Sequence, residues 1–141
     1  MRLAWCSPAL VLAALLAPAL AWAAWLPGGN RIGDGADSGH GFVAASSGPE
    51  RIVVAWFRQV ASDRFEVRAQ AWTAEGDLVA GWPSAGVLAG ELGANYGSLA
   101  IAEDGAGGAF VAWTSYDFAG SCVHVQHVSA AGSLAVGWAA E

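Results

Sequence analysis

The chain has 141 residues, more than half of them hydrophobic, with 19 glycines and a formal net charge of −6. This glycine content is about twice the usual frequency and favours short elements joined by tight turns over long helices. All six arginines lie at or before Arg68, there is no lysine, and seven carboxylates follow that residue. Because nucleic acids are bound by clustered cations, this distribution argues against a nucleic acid as partner.

The first 24 residues have the features of a secretory signal peptide. Arg2 is followed by a long apolar stretch and then by small residues, which is the order of parts in a signal peptide. We place the cleavage after Ala23 or Ala24, so that residues 1–23 are removed. The mature protein is then secreted, periplasmic or held at the cell surface, without a membrane partner. The alternative is an uncleaved membrane anchor, because residues 3–26 are nearly long enough to span a bilayer.

Residues 24–41 are rich in glycine and are interpreted as an N-terminal linker. Asp34 and Asp37 place two carboxylates in this stretch, which suggests calcium as a ligand. A calcium loop needs more oxygen ligands at regular alternation and a bidentate glutamate, and this stretch lacks that spacing. We therefore interpret it as a solvated linker.

The mature chain holds a single cysteine, Cys122, because Cys6 lies in the signal peptide. An internal disulfide is therefore ruled out, and packing alone has to hold the fold together. About 118 residues remain, which suffices for one domain with its own core.

The sequence repeats itself at a fixed spacing. Val54-Ala55-Trp56 recurs 57 residues later as Val111-Ala112-Trp113, and Gly81-Trp82 recurs 56 residues later as Gly137-Trp138. A fixed period of this length indicates an array of similar supersecondary units. We assign a first repeat to residues 42–90 and a second, incomplete repeat to residues 91–141. The change of spacing by one residue falls in the loop around residues 61–63.

Each repeat is predicted to begin with a β-hairpin. Its first strand covers residues 42–46 in the first repeat and 99–102 in the second. A turn follows, which in the second repeat contains Asp104-Gly105. Aspartate and glycine tolerate the backbone conformations that tight hairpin turns need. The second strand is apolar at every position, over residues 52–57 and 109–113, which predicts burial of both its faces.

The third strand of the first repeat alternates in polarity. Its apolar side chains point one way and its polar side chains the other, as in a strand exposed on one face. The apolar set is Phe65, Val67, Ala69 and Ala71, and the polar set is Glu66, Arg68 and Gln70. A shorter run, residues 77–82, is predicted to close the repeat as a fourth strand.

The run from Asp104 to Trp113, Asp-Gly-Ala-Gly-Gly-Ala-Phe-Val-Ala-Trp, resembles the propeller-like repeats of large secreted bacterial proteins. The resemblance implies an all-β fold of two four-stranded antiparallel, blade-like repeats, as part of a β-propeller or a similar array. It carries no defined activity, and it implies no cofactor.

We therefore expect a non-catalytic structural or interaction module outside the cytoplasm, with a protein or a cell-surface glycan as partner. The alternative is the N-terminal fragment of a propeller-type hydrolase whose catalytic residues are missing. Two blades alone leave sheet faces and edges uncovered, which predicts self-association through the open edges.

Few residues suggest chemistry. Cys122 and His124 share one face of the third strand of the second repeat, and this residue pair is a weak candidate for a metal site. His127 lies on the opposite face and does not supply a third ligand. Trp56 and Trp113 are expected in the core rather than in a sugar-binding platform. Trp72 has no aromatic counterpart in the second repeat, which makes it the candidate contact residue. No catalytic residue is predicted.

Overall fold

The computed structural model describes residues 25–34, 39–117 and 119–138, so the predicted cleavage sites after Ala23 and Ala24 lie outside the described residues. Seven strands form the fold: β1 Gly39–Ser46, β2 Arg51–Ala61, β3 Arg64–Thr73, β4 Val87–Gly93, β5 Tyr96–Glu103, β6 Ala109–Asp117 and β7 Gly120–Val128. They form two antiparallel sheets, β1-β2-β3-β4 and β5-β6-β7, in which each strand pairs with the next one along the chain. The all-β prediction is confirmed.

The prediction of four strands in each sheet is wrong for the second sheet, which has three strands within the described residues. The fourth strand was also predicted in the wrong place. Residues 77–82 form only one β-bridge, between Leu78 and Trp72, and the corresponding bridge in the second half joins Leu134 to Val128. The positive φ of Gly81 (89°) takes the backbone out of the extended conformation there. Instead, β4 is the fourth strand of the first sheet.

The hairpin turns and the buried second strand lie where the sequence predicts them. Every residue from Val53 to Phe57 is buried. The prediction of burial on both faces is wrong for β6, in which Phe110 and Ala112 are only partly buried. Burial differs between the two strands because β2 has a layer on either side, whereas in the described part of the chain β6 is covered on one side.

The alternation of β3 is confirmed for its apolar set, which is buried throughout. Gln70, predicted to be exposed, is 1% exposed. Its side-chain oxygen accepts a hydrogen bond from the backbone N–H of Gly33 at 3.1 Å. Its side-chain nitrogen donates to the carbonyls of Pro83 and Ser84, at 3.2 and 2.7 Å. Gln70 is buried because residues 25–34 and the loop before β4 both cover it.

Strand pairing in the two sheets agrees residue by residue. Phe42 pairs with Trp56 in the first sheet, and Leu99 pairs with Trp113 in the second, 57 residues later. Between β2 and β3 the register shifts by one residue near Ala61, and no such shift occurs between β6 and β7. A β-bulge adds one residue to a strand, and this bulge accounts for the change of spacing from 57 to 56.

The two sheets pack face to face around one core. We call the two sides of each sheet its front face and its back face. Residues at corresponding positions of the two sheets lie on the face of the same name, so that Val67 and Val123, for example, are both on a front face. The front face of the first sheet carries Val53, Ala55, Phe57, Val67, Ala69 and Ala71. The back face of the second sheet carries Ala109, Val111, Trp113 and Val128. These two sets belong to one buried cluster, so the second sheet lies with its back face on the front face of the first.

Contacts between strands of the two sheets show that the sheets are stacked in the same orientation. β1 lies against β5, and β4 lies against β6 and β7. At the hairpin turns, the hydroxyl of Ser47 donates to the carbonyl of Gly108 at 2.8 Å. Corresponding parts of the two sheets therefore lie next to each other.

Candidate functional site

The front face of the second sheet exposes apolar side chains. Val123 is 72% exposed and Val125 is 49% exposed. Their counterparts on the first sheet, Val67 and Ala69, are completely buried, because the second sheet covers them. The same kind of face is thus covered in one half of the molecule and open in the other.

Aromatic side chains continue this open face. Phe110 stacks on the ring of His127 with centroids 4.4 Å apart. The ring of Trp138 lies 6.0 Å from Phe110 and 5.8 Å from His127, and Trp138 is 38% exposed. Its counterpart Trp82 is 4% exposed, because it lies between the two sheets.

Asp104 and His127 form a hydrogen-bonded pair at the edge of this face. Nε2 of His127 lies 2.8 Å from Oδ2 of Asp104, while Oδ1 accepts the backbone N–H groups of Ala106 and Gly108 at 2.7 and 2.9 Å. Burial alone would raise the pKa of Asp104, whose side chain is 5% exposed. The hydrogen bonds from His127 and from the two amides outweigh burial and leave the pKa below its ordinary value.

The Asp104–His127 pair therefore holds a turn in place. The carboxylate closes the hairpin between β5 and β6, and the imidazole ties that hairpin to β7. The neighbouring hydroxyl of Ser129 donates to the carbonyl of Ser133 at 3.0 Å. Both carboxylate oxygens and this hydroxyl thus serve local structure.

A cleft of about 420 Å³ separates β4 from β7. The ring of His124 stacks on Trp113 with centroids 5.4 Å apart, and Nε2 of His124 lies 2.8 Å from the hydroxyl of Ser115. Cys122, the other predicted metal ligand, is exposed on the same strand. Within the described ranges, no three His, Cys, Asp or Glu side chains come together in a group that could hold a metal ion.

The candidate contact residue Trp72 lies on the back face of the first sheet. It is half-buried, and its ring centroid is 6.5 Å from that of Trp25. Its indole N–H is buried and has no hydrogen-bond partner among the described residues. Asp34, from the stretch considered for calcium, forms an ion pair with Arg58 at 3.5 Å, and Asp37 lies outside the described residues.

Residues 25–34, which we call the N-terminal segment, have a role that the sequence patterns did not predict. The indole N–H of Trp25 donates to the carbonyl of Ala74 at 2.7 Å. The indole N–H of Trp82 donates to the carbonyl of Ala130 at 3.2 Å. Ala74 and Ala130 lie in equivalent turns of the two halves of the molecule, so the two tryptophans make equivalent hydrogen bonds.

The sequence carries the signal that would have revealed this role. Residues 25–34, WLPGGNRIGD, align without a gap to residues 82–91, WPSAGVLAGE, and share the tryptophan and two glycines. The match is hard to see because the residues that precede Trp25 in the sequence are also apolar. The N-terminal segment covers the back face of the first sheet as residues 82–91 cover the back face of the second.

No family model, curated protein or solved structure matches the chain. Among the described residues, no helix has the length and the apolar character that crossing a membrane requires.

Proposed function

We propose that the protein is a non-catalytic structural and interaction module outside the cytoplasm, built of blade-like β-repeats that stack front to back. The observation that carries this proposal is the open front face of the second sheet. Its positions correspond, one by one, to those of a face that the same molecule buries between its sheets, with Thr114 and His127 in place of Phe57 and Ala71. A surface of this kind binds another sheet rather than a small substrate.

Two further observations support a repeating array. Backbone hydrogen bonds recur at the spacing of the sequence repeat: Val79 N–H donates to Ala71 O, and Ala135 N–H donates to His127 O. The contact between the equivalent strands β1 and β5, and the contact of β4 with β6 and β7 of the next sheet, are those expected of successive units in a stacked array. Stability in such arrays depends on the interfaces between neighbouring units, and a terminal unit lacks one of them.

Secretion and the partner class belong to the same proposal. The basic start, apolar run and small residues before Trp25 support export by a signal peptide. The partner is a protein with a sheet face, since the open surface is itself a sheet face with exposed apolar side chains. The alternative, a hydrolase fragment, receives no support from the Asp104–His127 pair, because hydrogen bonds within the turn and between the turn and β7 account for both side chains.

The experiment that tests the proposal adds a third unit. In an extended chain, residues 83–138 follow Trp138 a second time, which continues the repeat without changing its spacing. If the sheets stack front to back, the added unit covers Val123 and Val125, and the extended chain melts at a higher temperature in one cooperative transition. A matched control adds the same residues in scrambled order. An extended chain that melts at or below the temperature of the original, or in two transitions, would contradict the proposal.

A further inference from the structure

We propose that the open front face of the second sheet binds the back face of the first sheet of a second copy of this chain, so that copies associate head to tail. This inference rests on the proposed function and names the partner. The molecule contains the template for the contact, because its own sheets already meet front to back.

Exposure identifies the two surfaces. On the front side, Val123 is 72% exposed and its counterpart Val67 is completely buried. On the back side of the first sheet, Ile52 is 37% exposed, whereas its counterpart Ala109 is completely buried. Phe42, on the edge strand β1 and on the same back face, is 74% exposed. Both surfaces thus expose apolar side chains. On the back face these are Ile52 and Phe42, while Val54 and Trp56 of the same face are already buried in the single chain.

The N-terminal segment of the second copy provides a further contact that has a model within the chain. Within the chain, β4 pairs with β3, and Gly90 of β4 lies under the ring of Trp113 on the neighbouring sheet. Gly33 is the counterpart of Gly90 in the N-terminal segment, and that segment already lies on the back face of the first sheet. Docking of the second copy therefore brings its N-terminal segment alongside β7, in the position that β4 has beside β3.

Only one tryptophan fits between the two copies. Trp25 of the second copy and Trp138 of the first would both lie at the turn that contains Ala74, since Trp25 and Trp138 are counterparts of the same Trp82. Trp25 is held there by its hydrogen bond and by the segment that follows it. Trp138 therefore moves away from Phe110 and His127 when the copies associate.

The two surfaces are different, so the contact is heterologous. A heterologous contact closes into a ring or continues as a filament, and it does not stop at a two-fold dimer. This property separates the proposal from edge-to-edge pairing of β7 with another β7, which produces a symmetric dimer. It also supplies the test, because each copy can be blocked on one side alone.

The test uses two variants of the purified protein. Val123→Glu blocks the front face, and Phe42→Glu blocks the back face. Mass is measured by light scattering over a range of concentrations. We expect the wild-type protein to grow beyond a dimer as concentration rises, and each variant alone to remain monomeric. An equimolar mixture of the two variants should form a heterodimer and nothing larger, because one open front face remains for one open back face.

Val136→Glu is the matched control. Val136 is fully exposed, and its counterpart Ala80 stays exposed although the second sheet is docked beside it. The control variant should therefore associate as the wild type does. Trp138→Ala should associate at least as strongly as the wild type, because that side chain has to leave its place on docking.

Several outcomes would overturn the inference. These are a wild-type protein that stays monomeric up to its solubility limit, association that persists in both single variants, or a variant mixture that stays monomeric. Circular dichroism checks that each variant is folded, and Val123→Thr with Phe42→Ser replaces a variant that is not. If the extended chain with a third unit gains stability while the wild type remains monomeric, the proposed function stands and this inference fails. If the extended chain gains nothing, the proposed function itself fails.

Discussion

Replacement of Gly90 by alanine tests how closely the two sheets approach. A methyl group on Gly90 would lie 2.8 Å from Cη2 of Trp113, closer than real side-chain contacts come. Added volume at such a site costs about 1–3 kcal/mol. Gly90 has no positive φ, so the usual gain of about 0.4–1 kcal/mol on replacing glycine by alanine also applies. We expect the free energy of unfolding to fall by about 1–2 kcal/mol.

Thermal melting followed by circular dichroism measures this loss. In a domain of this size, each kcal/mol lowers the melting temperature by roughly 3–6 °C. Gly93→Ala is the control on the same strand, because a methyl group there would lie 3.8 Å from the carbonyl of Asp63, an ordinary contact. We expect that variant to stay within about 0.5 kcal/mol of the wild type.

A double-mutant cycle assigns the loss to Trp113. Trp113→Phe removes the outer ring that the methyl group would strike, so Gly90→Ala should cost less in that background. We expect a coupling energy of about 1 kcal/mol, within the range found for residues in contact. Equal stability of Gly90→Ala and Gly93→Ala, or strict additivity in the cycle, would refute the packing of Trp113 on β4.

Three further predictions concern other contacts. Gln70→Leu removes a buried amide that bonds three backbone groups, and should cost about 1–3 kcal/mol in urea unfolding; a change below 0.5 kcal/mol, on the order of a surface substitution, would contradict its role. Asp104→Asn should cost about 1.5–3 kcal/mol at neutral pH. Because the pKa of Asp104 is lowered on folding, its contribution is complete above about 3.9, the ordinary pKa of aspartate, and is lost as pH falls through the folded-state pKa. The difference between wild type and variant should therefore shrink in acid, and a constant difference would contradict this. Trp82→Ala should cost about 3–5 kcal/mol because Trp82 is buried, whereas Trp138→Ala should cost under about 1 kcal/mol; similar losses would show that the two tryptophans have equivalent surroundings.

The sequence predicted those features that depend on neighbouring strands in one sheet. The continuous apolar run identified β2, and alternation identified the buried side chains of β3, because both patterns follow from how one strand meets one layer. Asp104-Gly105 located the second hairpin turn, since its requirement is local.

Features that depend on the other sheet or on distant segments were missed. β4 has three glycines in or next to it and resembles a loop, yet Gly90 is required because Trp113 lies against it. Residues 77–82 were predicted to form the fourth strand, but the burial of Trp82 comes from the contact between the sheets. Gln70 was placed in solvent because alternation does not reveal a covering segment 37 residues away. The open face of the second sheet became visible only by comparing the exposure of equivalent residues.

The most direct test of front-to-back stacking is a nuclear Overhauser measurement between Gly90 and Trp113. The indole ring lies against the backbone of Gly90, so the account predicts strong cross-peaks from a Gly90 Hα proton to the outer indole protons, and an upfield shift of that Hα by the ring current. A Trp113 ring whose cross-peaks lead only to residues of its own sheet, with an unshifted Gly90 Hα, would contradict the stacking and the proposals that depend on it.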